Sequence, residues 1–144
     1  MHAWKNFALA FVMILGVTAM AAVPASADDH DTDPVVIKIV NDDPHRIHGA
    51  LGFAQFMTES GHPVTVWVTD RAVRIASKER AGNLARHQQM LNDLIKKNVK
   101  VIICPMCMEE YGVKEADLIP GATAGKPELI SEILFKDNAK LITW

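Results

Sequence analysis

Hydrophobic positions along this chain follow two alternating rhythms: short unbroken β-branched runs, and longer stretches whose apolar residues recur three and four apart. The run Val35-Val36-Ile37-Lys38-Ile39-Val40 ends at the turn-forming cluster Asn41-Asp42-Asp43-Pro44 and predicts a first strand. Over residues 47–60, Ile47, Leu51, Ala54 and Phe56 or Met57 recur near helical spacing, and Gly61 supplies the stop. Val64-Thr65-Val66-Trp67-Val68 predicts the second strand. Residues 69–83 mix Val73, Ile75 and Ala76 with Arg71, Arg74, Lys78 and Arg80 around Gly82, which predicts a loop with one helical turn. Its basic side chains read as a solvated face, with a subunit contact as the alternative. A helix returns over residues 84–98, with Leu91, Leu94 and Ile95 inward and Arg86, Lys96 and Lys97 outward.

Residues 99–103 are unbroken in their apolar character apart from Lys100 and predict a third strand buried on both faces. Pro105 opens a short helix that Gly112 ends, and residues 119–125 predict a loop containing a short edge strand. Pro127 opens a last helix carrying Leu129, Ile130, Ile133 and Leu134, and Leu141-Ile142-Thr143-Trp144 predicts a closing strand. Strands alternating with helices imply right-handed crossovers and an α/β fold, a mainly parallel sheet covered on both faces. Ligands of such sheets sit outside the carboxyl ends of the strands. The loop 41–46 after the first strand and the segment after the third share that end, so Asn41, Asp43 and His45 are expected on one pocket rim with it.

That third-strand segment holds the only two cysteines, as Cys104-Pro105-Met106-Cys107. Cys104 reads as the N-cap, Pro105 as the first helical residue and Cys107 as one turn inside. Unpaired N–H groups and the helix dipole favour thiolate there, and cysteines in such settings span pKa values of roughly 3.5 to 7.5. Cys104 is thus the candidate nucleophile and Cys107 the resolving or second ligand sulfur. The bland alternative is a pair of inert buried thiols. A purely structural disulfide explains the pair poorly, because so short a loop restricts the unfolded chain little.

Lys5, the apolar stretch 7–23 and Ala25-Ser26-Ala27 match a secretory signal peptide over residues 1–27, which predicts export to the periplasm and a mature chain of 117 residues. Residues 28–34 then form a flexible acidic tail and residues 35–144 one domain. Of the 15 basic residues Lys5 lies in the leader, leaving 14 against 17 acidic ones and a formal charge of −3. That balance offers no footprint for nucleic acid or an anionic membrane surface, and after leader cleavage no membrane association is expected.

The turn Asn41-Asp42-Asp43-Pro44-His45-Arg46 ahead of an apolar helix, the segment VKVIICPMCMEEYG over residues 99–112, and Ala116-Asp117-Leu118-Ile119-Pro120-Gly121 ahead of a final helix and strand together resemble the DsrE-like sulfur relay family. The resemblance covers nearly all of residues 35–144. It implies a three-layer α/β/α fold with a four- to five-stranded sheet, assembly into trimers or hexamers, and a cysteine at the position of Cys104 that accepts persulfide sulfur and passes it on. Partners on that reading are sulfur donor and acceptor proteins or small polysulfides, and no cofactor is invoked. Cys107 has a counterpart only in some members, and many relatives are cytoplasmic.

Two other chemistries compete. Cys104 and Cys107 with Met106 or Met108 form a soft-metal set suited to Cu(I), although residues two apart on a helix point different ways. A leader cut after Ala27 also places His30 third from the new N-terminus, a Cu(II) or Ni(II) arrangement, against the plain reading of a frayed tail. The CxxC alone permits a thiol:disulfide oxidoreductase. His45 and His48, three apart, read as solvated turn residues before they read as ligands, Asp42 and Asp43 as turn and N-cap groups, and His62 and His87 as surface residues.

Overall fold

The computed structural model describes residues 32–144. The expected leader over 1–27 and His30 lie outside the described residues. Twelve elements follow in order, among them five strands: β1 (Val35–Ile39), β2 (Val64–Val68), β3 (Lys100–Ile103), β4 (Ala122–Ala124) and β5 (Lys140–Thr143). Four α-helices, α1 (Pro44–Glu59), α2 (Ala85–Lys96), α3 (Pro105–Glu110) and α4 (Pro127–Leu134), alternate with them. The five strands pair in parallel throughout in the order β4-β3-β2-β1-β5, with Ile37 opposite Val66 and Ile142. This is the α/β fold the alternating pattern predicts, with helices on both sides.

The two faces are covered unequally. Val35, Ile37 and Ile39 of β1 and Val64, Val66 and Val68 of β2 point to one face, where they join Ile47, Leu51 and Ala54 of α1, Leu91 and Leu94 of α2 and Met108 of α3 in a single core. On the other face Val36, Thr65, Trp67 and Ile102 meet Ile130, Ile133 and Leu134 of α4. That helix covers only part of it, and Leu141 stays 50% exposed and Phe135 at the helix end 82%.

Three segments differ from the pattern-based reading. First, α1 starts at Pro44, because Asp43 caps it and Pro44 fits the first turn. Second, the segment read as a loop forms two 3-10 stretches, Asp70–Ala76 and Gly82–Leu84, with Ala72, Val73, Ile75 and Ala76 buried. Its apolar residues three apart face inward under 3-10 geometry, which leaves the arginines outside. Third, His87 is buried rather than on the surface. At the other end of the described chain Asp33 is also buried, its carbonyl meeting His62 Nδ1 at 2.9 Å and its carboxylate meeting Lys140 Nζ at 3.7 Å. Among the described residues no helix is long and apolar enough to cross a membrane.

Candidate functional site

The carboxyl edge of the sheet is closed strand by strand with backbone hydrogen bonds. Thr69 donates its N–H to Ile39 O at 2.8 Å, Cys104 to Val68 O at 2.9 Å, and Gly125 to Ile103 O at 2.8 Å. The residue following each strand is thereby fixed, and Cys104 is one of these residues. Ile103 beside it is fully buried, so the cysteine emerges directly from the buried part of the sheet.

Cys104 has the extended backbone of an N-cap, and its Sγ accepts the N–H of Cys107 at 3.3 Å. Cys104 and Cys107 are joined as a disulfide, with their Cα atoms 5.2 Å apart. Both residues are half-buried, and Cys107 packs against the core. Helix α3 is short, and its far end is locked by a Schellman pair: Gly112 N–H to Glu109 O at 3.2 Å and Val113 N–H to Met108 O at 2.8 Å. Gly112 takes the left-handed φ of 64° that this motif requires, while Val113 and Met108 close the apolar contact beneath it.

A polar chain flanks the helix. Arg74 donates to Asp42 Oδ2 at 3.2 Å, and its guanidinium lies 5.3 Å from the centre of the Tyr111 ring. The Tyr111 hydroxyl donates to Asp70, the residue after Thr69, which stands at φ 48°. This Asp70 contact, with desolvation adding and Arg71 opposing, raises the phenol above its usual pKa. Loops after β1 and β2 are thus tied to the end of the cysteine helix. Arg71, Arg74 and Tyr111 were not singled out for this role by sequence pattern; the mixed basic and apolar segment 70–76 is the signal that held it.

The other expected site residues fall as follows. Asn41 Oδ1 accepts the N–H of Asp43 at 3.0 Å, and Asp43 Oδ1 accepts that of Arg46 at 2.9 Å, so both oxygens serve the start of α1. Asp42 pairs with Arg74 instead of capping. His45 is exposed on the first turn of α1. Met106 is 81% exposed whereas Met108 is 5% exposed in the core, so the two thioethers lie on opposite sides of α3. Among the described residues no group of three or more His, Cys, Asp and Glu side chains is arranged to hold a metal ion. A cavity of about 250 Å³, lined by Val35, Val64, Asn98 and Lys100 among others, opens at the opposite, amino edge of the sheet.

A buried histidine lies between α1 and α2. His87 meets the ring of His48 edge-on with centroids 5.9 Å apart, and its Nδ1 has no hydrogen-bond partner. Desolvation first, then the charges of His48, Arg86 and His45, hold its pKa below the usual value, against a hydrogen bond with the Pro44 backbone.

Comparison with known proteins is consistent with this architecture. An uncharacterized protein from Methanocaldococcus jannaschii, MJ0989, is 30% identical over 95 residues, spanning 65% of this chain and 83% of that protein. The crystal structure of the ychN protein from E. coli superposes with a TM-score of 0.65 at 24% identity, covering 78% of this chain and 99% of that one. A protein of unknown function from Methanobacterium thermoautotrophicum, MTH1491, also gives 0.65 at 14% identity, covering 78% and 99%. These likenesses show the fold. The sequence pattern of the DsrE/DsrF-like family matches residues 35–143, essentially the whole described domain, and the chain belongs to that family.

Proposed function

We propose that this protein is an exported sulfur carrier. In this reading the Cys104 thiolate attacks the sulfane sulfur of a persulfide or polysulfide, displaces the donor thiolate, and holds the sulfur as a persulfide. An acceptor thiolate then attacks the outer sulfur and Cys104 leaves as thiolate. Cys107 is also able to release the sulfur, by attacking Cys104 Sγ, closing the disulfide and expelling hydrosulfide, a step that excess sulfide reverses. The observation that carries the reading is the bonded Cys104–Cys107 pair at the carboxyl edge of a family member, since membership supports a sulfur-relay type of role.

Export by the leader would place the pair where disulfides persist. Assembly into trimers or hexamers is part of the proposal, and the partly covered sheet face with Leu141 and Phe135 supports it. Donor and acceptor are small polysulfides or partner proteins bearing a reactive thiol.

The test is intact mass. Incubating the reduced Cys107→Ser chain, which cannot close the disulfide, with a polysulfide should add one sulfur atom per chain, Cys104→Ser should abolish the gain, and the wild type should show either the added sulfur or the disulfide that its release leaves. A Cys107→Ser chain that gains no sulfur would end the reading.

A further inference from the structure

The structure holds the pair as a disulfide, and a thiolate carrier is inert in that form. An oxidised pair is instead an electrophile toward sulfur nucleophiles. Resting on the carrier reading above, we propose that the oxidised form loads directly from inorganic sulfide: hydrosulfide attacks Cys104 Sγ, the S–S bond breaks, and Cys107 leaves.

The geometry selects both the sulfur and the nucleophile. Exchange at a disulfide depends on which sulfur is attacked and on access to it. Cys107 is among the residues packed against the core, and Cys104 is not. Cys104 stands at the strand end, on the sheet edge where ligands of parallel sheets collect. Both residues are half-buried, so a small nucleophile is favoured, and hydrosulfide is the smallest that leaves sulfur behind.

The electron balance closes without a further oxidant. The sulfide sulfur gives up two electrons to become sulfane sulfur, and the disulfide takes them. A new S–S bond forms at Cys104 as the Cys104–Cys107 bond breaks, and the proton of hydrosulfide is taken by the Cys107 thiolate or by solvent. The product is the same Cys104 persulfide that a polysulfide would make from the dithiol, so the carrier has two entry points, one for each redox state. Each disulfide loads one sulfur.

The experiment has two arms. In the first, full chain with its disulfide intact is treated with sodium sulfide without oxygen, alkylated, and read by intact mass and peptide mapping. The reaction adds one sulfur and two hydrogens per chain, so the alkylated product should carry one extra sulfur and two alkyl groups, one on a Cys104 persulfide and one on the Cys107 thiol. Cys107→Ser, which cannot form the disulfide, should gain nothing from sulfide. In the second arm the reduced Cys107→Ser chain, which cannot discharge into the disulfide, meets a polysulfide and should gain one sulfur. An unchanged disulfide, a plain dithiol without retained sulfur, or a persulfide on Cys107 in the first arm would overturn the proposal. Success of the second arm alone leaves the carrier reading standing, and failure of both removes it as well.

Discussion

The hydroxyl of Tyr111, at the end of the cysteine helix, donates to the carboxylate of Asp70, 41 residues earlier in the chain. This contact lets the loop after β2 hold α3 from its far end while Cys104 N–H holds the near end through Val68 O. The two cysteines lie between those anchors, so their spacing does not rest on the short helix alone.

Tyr111 is the only tyrosine, so tyrosinate absorbance reports on it without assignment. Because Asp70 accepts its hydrogen bond, Tyr111 should ionise above the usual tyrosine value of 10.0. Asp70→Asn, which keeps a residue tolerant of the left-handed backbone at φ 48°, should move the midpoint back down. The folded state holds this proton more tightly than the unfolded chain. Its contribution to stability is therefore complete below the unfolded pKa and disappears as pH climbs through the folded one. A midpoint identical in wild type and Asp70→Asn would show that the contact has no weight in solution.

Gly112 tests the other lock on α3. A side chain there must adopt φ 64°, and its Cβ would lie 3.3 Å from the Arg80 guanidinium. The left-handed backbone alone costs about 1 to 2 kcal/mol for a non-glycine residue. Gly112→Ala should lower the denaturation midpoint by that much in the unfolding free energy, and an unchanged midpoint would mean the helix end is free to rearrange.

How much of this could be seen in advance depends on whether a feature is local. The strands β1, β2 and β3 were legible because β-branched runs end at turn residues, and Cys104 was legible as an N-cap because Pro105 follows it. Two local signals were present and outweighed. Asp43-Pro44 marks a helix start, but the polar His45 and Arg46 hide it from a periodicity count. His87 shares the stripe of Leu84, Leu91 and Leu94, spaced three, four and three, although its polarity argues for the surface. The chain from Asp42 through Arg74 and Tyr111 to Asp70 is different in kind. Its partners lie 32 and 41 residues apart, and only the parallel sheet, which gathers every post-strand loop at one edge, brings them together.

Asp43 should prove to be a structural residue. Its side chain caps α1 by accepting the Arg46 N–H, and loss of such a cap typically costs about 1 kcal/mol, in a range of roughly 0.5 to 2. Asp43→Ala should lose that much in denaturant unfolding, and Asp43→Ser, which can still cap, should recover most of it. Equal losses for both would show that the carboxylate does something other than cap.

His87 gives the fold an acid limb. Its ring is held between α1 and α2, with the His48 ring edge-on, Arg86 beside it on α2, His45 on the first turn of α1 and the Pro44 carbonyl as its one favourable partner. Burial and these neighbours disfavour the imidazolium, so the folded pKa lies below the reference 6.5 while the unfolded chain titrates near it. Below 6.5 the unfolded state binds the proton first. The stability that neutral His87 contributes is therefore full above 6.5 and is lost as pH falls toward and through the folded pKa. Denaturant midpoints should fall between about pH 7 and pH 5, a window in which histidine is the side chain that ordinarily titrates. His87→Phe keeps a planar ring against His48 and removes the titration, so its midpoints should fall less over the same window. If wild type and His87→Phe show the same pH slope, the acid limb belongs to another group and His87 is only a packed ring.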